Sequence, residues 1–319
     1  MRFTFHCIKG SIQRITFQLY HMKIWFGICI SILSFFLIDY SLSWAIDKGL
    51  DKYFGLDKNA EILLIGHSHL MLATDKVGME HETGLKVAKF CREGIDVIAR
   101  KKMIEYYVSL PNKDSLQYVL YGVDLYSFQP AGLSANAHTL FYPFMDNPAM
   151  DEYIKNMDTP INYWSHKIIR TSRYSDALIN SAIRGYMNNW TNYKSGHLDI
   201  EETRKNLNNY NRTIAFDSVM IKEFETTLSM LTDRGIHVIL VNTPTIYELN
   251  QKDNVGYEKI ISYFENLSDN NESIEFWDLN PIFSKEYELF FDMIHLNDQG
   301  QQVINDELCK RILSLRTHK

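Results

Sequence analysis

The chain has 319 residues, of which 45% are hydrophobic and 23% charged, and its formal net charge is −6. This length fits one large domain or two small ones, and the apolar content suffices for a full core, which excludes global disorder. The mildly acidic balance, without a dense Lys/Arg stripe, is not the electrostatic footprint of a nucleic-acid-binding protein. We therefore expect no nucleic-acid partner.

The N-terminal region carries an apolar segment with the length of a membrane anchor. Residues 24–38, IWFGICISILSFFLI, contain no charged side chain. About 20 apolar residues cross a bilayer, and Asp39 would then lie near the outer interface beside Tyr40 and Trp44. We predict an uncleaved transmembrane anchor over residues 24–46. A cleaved signal peptide and a buried core helix are the alternatives.

The charges that flank this segment predict its orientation. The residues before it include four basic side chains and no acidic one, namely Arg2, Lys9, Arg14 and Lys23, whereas acidic and basic residues balance over positions 47–58. By the positive-inside rule, residues 1–23 form a cytoplasmic segment and residues 47–319 an extracytoplasmic or periplasmic domain. The sequence thus predicts a single-pass protein of the inner cell membrane.

Beyond the anchor, short apolar runs alternate with helical patterns. An amphipathic segment at 47–58 comes first. Strands are predicted at 61–66, within 84–94, within 115–128, at 236–244 and at 274–279. Helices are predicted at 95–110, 216–234, 256–267 and 299–315. This alternation predicts an α/β fold, a three-layer α/β/α doubly wound parallel sheet of the flavodoxin-like kind.

Residues 129–212 differ in composition from the rest of the chain. They are rich in Tyr, Asn and Trp, and no clear strand pattern occurs among them. We predict a partly helical insertion between the third and fourth strands. Its aromatic residues could stack on sugar rings or cover an interface, and the sequence leaves both open.

Four residues follow predicted strands at the edge where doubly wound sheets bind their ligands. Ser68 follows the first strand, Gly94 the second, Asp124 the third and Pro244 the fourth. Because the carboxyl ends of parallel strands meet at one edge of the sheet, we expect these residues to lie close together.

Two further residues complete a possible catalytic arrangement. Asp292 precedes His295 by three positions, so its carboxylate can reach the imidazole within one turn. His295 could then deprotonate Ser68, with Asp292 fixing the imidazole tautomer, which is the arrangement of covalent acyl transfer. The backbone N–H groups of Ser68 and Gly94 are candidate donors to the oxyanion.

These motifs resemble those of the SGNH (GDSL-type) hydrolase superfamily over residues 60–315. The first block of that family is Gly-Asp-Ser and its last is Asp-x-x-His, often continued as His-Leu-Asn. This chain has Gly66-His67-Ser68 and Asp292-Met293-Ile294-His295-Leu296-Asn297. The predicted anchor makes it similar to the membrane-bound branch that handles cell-envelope polymers, such as the proteins of teichoic acid D-alanylation and alginate O-acetylation.

The resemblance implies a serine O-acyl esterase or O-acyltransferase, with acetyl as the expected group, acting on a cell-envelope polysaccharide. It implies the catalytic residues Ser68, His295 and Asp292 and no cofactor. It also implies a membrane partner protein that supplies the acyl group. The alternative is a non-catalytic SGNH-like module that binds glycan or holds an assembly complex together.

The chain departs from the family pattern at two positions. His67 replaces the aspartate of the first block, and Asp124 stands near the place of an asparagine that donates to the oxyanion. An ionised aspartate only accepts hydrogen bonds. Either Asp124 is protonated, or the insertion supplies another donor, or acyl transfer is impaired.

The two histidines beside Ser68 admit two roles. His67 and His69 could hold zinc together with Asp292 and His295, because residues i and i+2 of an extended segment point to one side. The preferred prediction is that they line the pocket and that no metal binds. Cys91 and Cys309 could form a disulfide or remain buried thiols.

Overall fold

The computed structural model of the chain describes residues 3–111, 113–130 and 136–317, with side chains from residue 20 onward. Five parallel strands form one sheet in the order β2-β1-β3-β4-β5. They are β1 Ile62–Gly66, β2 Val87–Cys91, β3 Tyr118–Val123, β4 His237–Asn242 and β5 Ile274–Asp278. This is the strand order of flavodoxin-like sheets, and the predicted α/β class is confirmed.

Helices surround the sheet and form the segments between strands. The α-helices are α1 Phe3–Phe54, α2 Ser68–Ala73, α3 Lys76–Thr83, α4 Val97–Ser109, α5 Pro148–Met157, α6 Pro160–Ile168, α7 Asp176–Tyr186, α8 Ile200–Asn206, α9 Ser218–Thr232, α10 Tyr247–Lys252, α11 Asn254–Asp269, α12 Asn280–Phe283 and α13 Asp298–Thr317. Short 3-10 helices lie at Ala137–Phe144, Arg170–Arg173, Leu207–Asn209 and Tyr287–Leu289.

Both faces of the sheet are buried, as the continuous apolar strands require. Side chains alternate along each strand, so Leu63 and Ile65 of β1 enter one core and Ile62 and Leu64 enter the other. The first core contains residues of α1, α4, α5, α7, α9 and α11. The second contains residues of α2, α3, α10 and α13. The sheet is therefore the middle layer of three.

The N-terminal helix α1 is long and apolar enough over Tyr20–Phe54 to span a membrane. Its large apolar side chains are exposed along most of the segment up to Ile38. The helix runs without a break to Phe54, so the separately predicted amphipathic segment at 47–58 is largely the last turns of α1. Residues 1–2 of the predicted cytoplasmic segment lie outside the described residues.

From Asp39 onward, α1 packs against the folded domain. The Asp39 carboxylate is only 4% exposed, and it accepts hydrogen bonds from the backbone N–H groups of Arg170 and Thr171, both at 2.8 Å. The Tyr174 hydroxyl lies 2.7 Å from the Ser43 Oγ and donates to Asp47 at 2.8 Å. Asp39 thus joins the helix to residues 131 positions away.

Helix α7 lies along the last turns of α1 at a contact made by small residues. A Cβ on Gly185 would overlap the carbonyl oxygen of Gly49, and a Cβ on Gly49 would overlap the backbone of Ala182. Because glycine has no Cβ, the two helix backbones approach closely here. Helix α7 belongs to residues 129–212, of which 131–135 lie outside the described residues, so part of that segment packs on α1.

The two cysteines downstream of α1 are free thiols. Cys91 and Cys309 are both buried in the second core. The Cys91 thiol donates to the carbonyl of Leu64, and Cys309 accepts from the amide of Asn305. The two residues therefore act as buried thiols rather than as a cross-link.

Candidate active site

Ser68 lies at the first position of α2, directly beyond the carboxyl end of β1. His67 caps this helix, because its Nδ1 accepts a hydrogen bond from the backbone N–H of His69. Leu70 packs so closely on β1 and β3 that a Cβ on Gly66 or on Gly122 would meet it at 3.1 and 2.9 Å. Two glycines in adjacent strands thus let α2 lie against the sheet and fix the direction of Ser68.

Asp292 and His295 form a tight turn before α13. One oxygen of Asp292 accepts from the backbone N–H groups of Ile294 and His295, both at 2.9 Å. The other oxygen lies 2.8 Å from His295 Nδ1. The side chain of Asn297 donates to the carbonyl of Glu288 at 2.7 Å, which closes the turn. The spacing of three residues therefore places the carboxylate on the imidazole, as predicted.

The turn and the first strand meet at the sheet edge. The Ser68 Oγ lies 2.9 Å from His295 Nε2, and the two residues are 227 positions apart. Burial alone would raise the pKa of Asp292, but hydrogen bonds from His295 and from the backbone lower it overall. An ionised Asp292 accepts a hydrogen bond from the Nδ1–H of His295, so the Nε2 lone pair faces the serine hydroxyl.

A cavity of about 470 Å³ opens beside Ser68. Of the predicted site residues, Ser68, His69, Gly94 and His295 line it. The remaining lining residues are Glu93, Asn136, Ala137, Thr139, Leu140, Arg212 and Ile294. A substrate can therefore approach the serine from the side that faces the loop after β2 and residues 136–140.

The other predicted pocket residues lie beneath this cavity. His67 Nε2 is 2.9 Å from Asp124 Oδ2, and His69 Nδ1 is 3.5 Å from the same oxygen. The Oδ1 of Asp124 accepts from the backbone N–H of Tyr126 at 2.9 Å and from the Ser127 hydroxyl at 3.0 Å. His67, His69 and Asp124 are all buried. His67 and Asp124 do not line the cavity that Ser68 lines.

The protonation of this cluster follows from its contacts. Burial opposes the charge on Asp124, but His67, His69 and Arg100 outweigh it, so the pKa of this carboxyl falls well below its usual range. Burial is also the largest effect on His67 and His69, and it lowers the pKa of both imidazoles. These directions describe an ionised Asp124 beside two imidazoles whose pKa values lie below the ordinary value. A protonated Asp124, one of the three expectations above, does not fit this direction.

Four polar residues of the cavity were not predicted from the sequence: Glu93, beside the predicted Gly94, and three residues from one other segment. Asn136, Thr139 and Arg212 all belong to the segment between β3 and α9, and none of them follows a strand. The exposed amide of Asn136 is a hydrogen-bond donor of the kind that Asp124 cannot supply. The sequence indicated these residues only indirectly, through the expectation that the insertion supplies another donor to the oxyanion.

The histidines and Asp124 also form the one metal-ligand geometry found among the described residues. Their candidate ligand atoms lie within 4.8 Å of one another. However, the His67 and Asp124 atoms already form a short polar contact, and both nitrogens of His295 are engaged by Ser68 and Asp292. The predicted zinc alternative, which needed His295 and Asp292 as ligands, therefore does not match these contacts.

The fold and the site together define a doubly wound α/β protein with a serine–histidine–aspartate chain at the carboxyl edge of its sheet. Scans against protein-family models and against curated proteins give no match. A solved structure, described as "a putative platelet activating factor from Streptococcus pneumonia", is similar over 88% of this chain and 99% of its own. The identity is 12% and the TM-score 0.36, a likeness that carries no argument about activity.

Proposed function

We propose that the protein is a serine O-acyl esterase or O-acyltransferase in which Ser68 is the nucleophile, His295 the general base and Asp292 its orienting acid. The observation that supports this most strongly is the pair of hydrogen bonds, 2.9 Å from Ser68 to His295 and 2.8 Å from His295 to Asp292. A nucleophile, a base and an orienting group within this reach are the general signature of an activated serine.

The reaction runs in two steps. The Ser68 Oγ attacks the ester carbonyl while His295 Nε2 takes the hydroxyl proton. When the tetrahedral intermediate collapses, the sugar oxygen leaves with that proton and an acyl-serine remains. Water or a second sugar hydroxyl, deprotonated by His295, then attacks the acyl carbon and releases Ser68. Water gives hydrolysis and a sugar hydroxyl gives transfer.

The oxyanion of this intermediate requires hydrogen-bond donors on the cavity wall. The backbone N–H groups of Ser68 and Gly94 are two candidates. The amide of Asn136 is the third, because it lines the same cavity and Asp124 does not. In this proposal, the insertion supplies the donor that the third strand lacks.

The cellular setting is the finer part of the proposal. The length and apolar character of α1 support a single-pass anchor. With the N-terminus in the cytoplasm, the catalytic domain faces the cell envelope, where acetyl esters of a polysaccharide are the expected substrates. A membrane protein that supplies the acyl group is the expected partner for the transferase version.

The alternative function, a non-catalytic module for glycan binding or complex assembly, makes an opposite structural prediction. A distance between Ser68 and His295 beyond hydrogen-bond reach, together with a blocked pocket, would support it. The two atoms lie 2.9 Å apart beside a cavity of about 470 Å³, so no contact in the described residues favours this alternative.

A fluorophosphonate probe tests the proposal on the full chain in detergent. We expect the probe to label Ser68 covalently, Ser68→Ala to abolish labelling, and His295→Gln to slow it about 10²- to 10⁴-fold, the usual contribution of a general base. Ser229→Ala, an exposed serine on α9, is the matched control and should label like the wild type. A folded wild-type protein that does not label at Ser68 would contradict the enzyme proposal and favour the binding module.

A further inference from the structure

A second cavity of about 300 Å³ lies next to the Ser68 cavity, and nothing in the proposed chemistry uses it. Its walls come from the end of α1, from α2, α3 and α7, from the end of β2 and from residues 190–192. The two cavities share Glu93 and Leu140 as lining residues. A ligand that fills the second cavity can therefore extend toward Ser68.

The charged residues of the second cavity are strongly unbalanced. Four basic residues line it, Lys76, Lys89, Arg92 and Arg184, against the single acid Glu93. Three of the four are nearly inaccessible, with exposures of 1% for Lys76, 5% for Lys89 and 8% for Arg92. Buried cations are normally paired, because an unpaired charge in the interior is costly.

Two of these cations have N–H groups without hydrogen-bond partners, although Arg92 donates from one terminal nitrogen to the Leu140 carbonyl at 3.3 Å. Among the described residues, neither Lys76 Nζ nor Arg92 Nε has such a partner. The Lys76 ammonium lies 4.8 Å from the centre of the Trp190 ring, and the Arg92 guanidinium lies over the ring of Phe54. Lys89 donates to the Thr74 carbonyl at 2.5 Å. The aromatic rings hold the cations in place, but they leave N–H donors for an anion.

We propose that this cavity binds a phosphate-type oxyanion. Several cations from different elements surround the space, an arrangement that suits a tetrahedral anion with several acceptor oxygens better than a planar carboxylate. The volume lies at the lower end of the range of about 300 to 1,000 Å³ that is usual for ligand pockets. Burial lowers the pKa of Lys76 and of Lys89 to about 8, and a bound anion would favour their charged forms.

The position along α1 indicates where the phosphate comes from. Phe54, which lines the cavity, follows Asp39 by 15 residues, or about 22 Å at about 1.5 Å per residue. A lipid headgroup of a bilayer around the exposed part of α1 would therefore lie far from this cavity. We therefore assign the phosphate to a substrate or a free ligand. The idea that this ligand extends to a reacting Ser68 rests on the proposed function, whereas the binding of an anion in the second cavity does not.

Thermal unfolding of the full chain in detergent, with inorganic phosphate as the probe, tests the proposal. We expect a saturable rise in the unfolding temperature with phosphate, beyond the effect of sodium chloride at equal ionic strength. Acetate should give a smaller rise, and vesicles containing phosphatidylglycerol should not compete with phosphate. An equal rise with sodium chloride would overturn the proposal. A rise with acetate as large as that with phosphate would overturn the assignment to phosphate. Competition by the vesicles would overturn the assignment to a substrate or free ligand.

Variants distinguish phosphate binding in this cavity from phosphate binding elsewhere on the surface. Lys76→Met removes the unpartnered cation, so it should raise the unfolding temperature without phosphate and weaken phosphate binding at least 10-fold. Arg184→Gln changes a less buried cation on α7 and should also weaken phosphate binding. It tests the site independently if Lys76→Met does not fold. Lys102→Met, on a surface lysine paired with Glu105, is the matched control and should respond like the wild type.

The same assay distinguishes failure of this proposal from failure of the enzyme proposal. Ser68→Ala should keep the full phosphate response, because Ser68 does not line the second cavity. An unchanged phosphate response in both Lys76→Met and Arg184→Gln would overturn the anion site, whatever the probe labelling of Ser68 shows. A wild-type protein that responds to phosphate but is not labelled at Ser68 would overturn the enzyme proposal alone.

Discussion

The two neighbouring cavities differ in how their polar groups are partnered. Beside Ser68, a continuous series of hydrogen bonds runs from the serine through His295 to Asp292. In the second cavity, Lys76 and Arg92 keep N–H donors without acceptors among the described residues. The residues proposed for catalysis are therefore hydrogen-bonded to one another, whereas the second cavity has N–H donors that a bound anion would satisfy.

The largest predicted effect on the Ser68 cavity is that of a substitution at Asn136. Its amide is one of the three candidate oxyanion donors at the Ser68 cavity, so Asn136→Ala should slow acyl transfer about 10²- to 10³-fold, as removal of one oxyanion donor usually does. The measurement is the rate of ester hydrolysis by the full chain, beside the unfolding temperature, which should stay unchanged. Asn266→Ala, an exposed residue on α11, is the control. A wild-type rate in Asn136→Ala would show that the insertion does not supply the donor.

A second prediction addresses the wall of the second cavity. Gly185→Ala should destabilise the protein by about 1 to 3 kcal/mol, because the added Cβ overlaps the Gly49 carbonyl and pushes α7 from α1. Since α7 carries Arg184, the phosphate response should weaken while labelling of Ser68 is retained. Chemical denaturation in detergent measures the stability. Gly27→Ala, at a position with open space around it, should change neither property, and equal stability of the two variants would contradict the close contact.

A third prediction concerns the buried cluster of His67, His69 and Asp124. Burial lowers the pKa of His67 and His69 below the ordinary value of about 6.5, so the unfolded chain binds protons there that the folded chain does not. The stability present near pH 7 should therefore fall as the pH falls toward 5, by at most about 1.4 kcal/mol per pH unit for each histidine.

Urea unfolding at pH 7, 6 and 5 measures this dependence. His69→Gln should give a shallower pH dependence than the wild type, because one of the two titrating groups is removed. His81→Gln changes a histidine whose side chain is 84% exposed and should leave the slope as it is. If His69→Gln and the wild type lose stability equally, His69 is not buried in its neutral form.

The sequence pattern predicted the parts of the molecule that depend on local order. Continuous apolar runs predicted the five strands. The rule that ligands bind at the carboxyl edge of the sheet predicted that Ser68 lies near the Asp292–His295 turn. The short helices α2 and α3 were missed, because six or eight residues carry too little periodicity to predict a helix.

Contacts between distant residues could not be predicted in this way. The Asp39 carboxylate was expected at a lipid interface, yet it accepts hydrogen bonds from residues 131 positions downstream. The second cavity likewise gathers Lys76, Lys89 and Arg184 from separate elements, and no local spacing connects them. Asn136 reaches the Ser68 cavity from a segment without strand-end signals.

The unbroken course of α1 from Phe3 to Phe54, fastened to the domain at Asp39 and along α7, has a mechanical consequence. A catalytic domain on a flexible linker explores a volume set by the length of that linker. Here α1 packs directly on the domain without a linker, so a bilayer around α1 would restrict the height and tilt of the Ser68 cavity. If the substrate is an envelope polymer, as proposed, only polymer strands at that height would reach the cavity, and encounters would depend on lateral and rotational diffusion of the whole molecule.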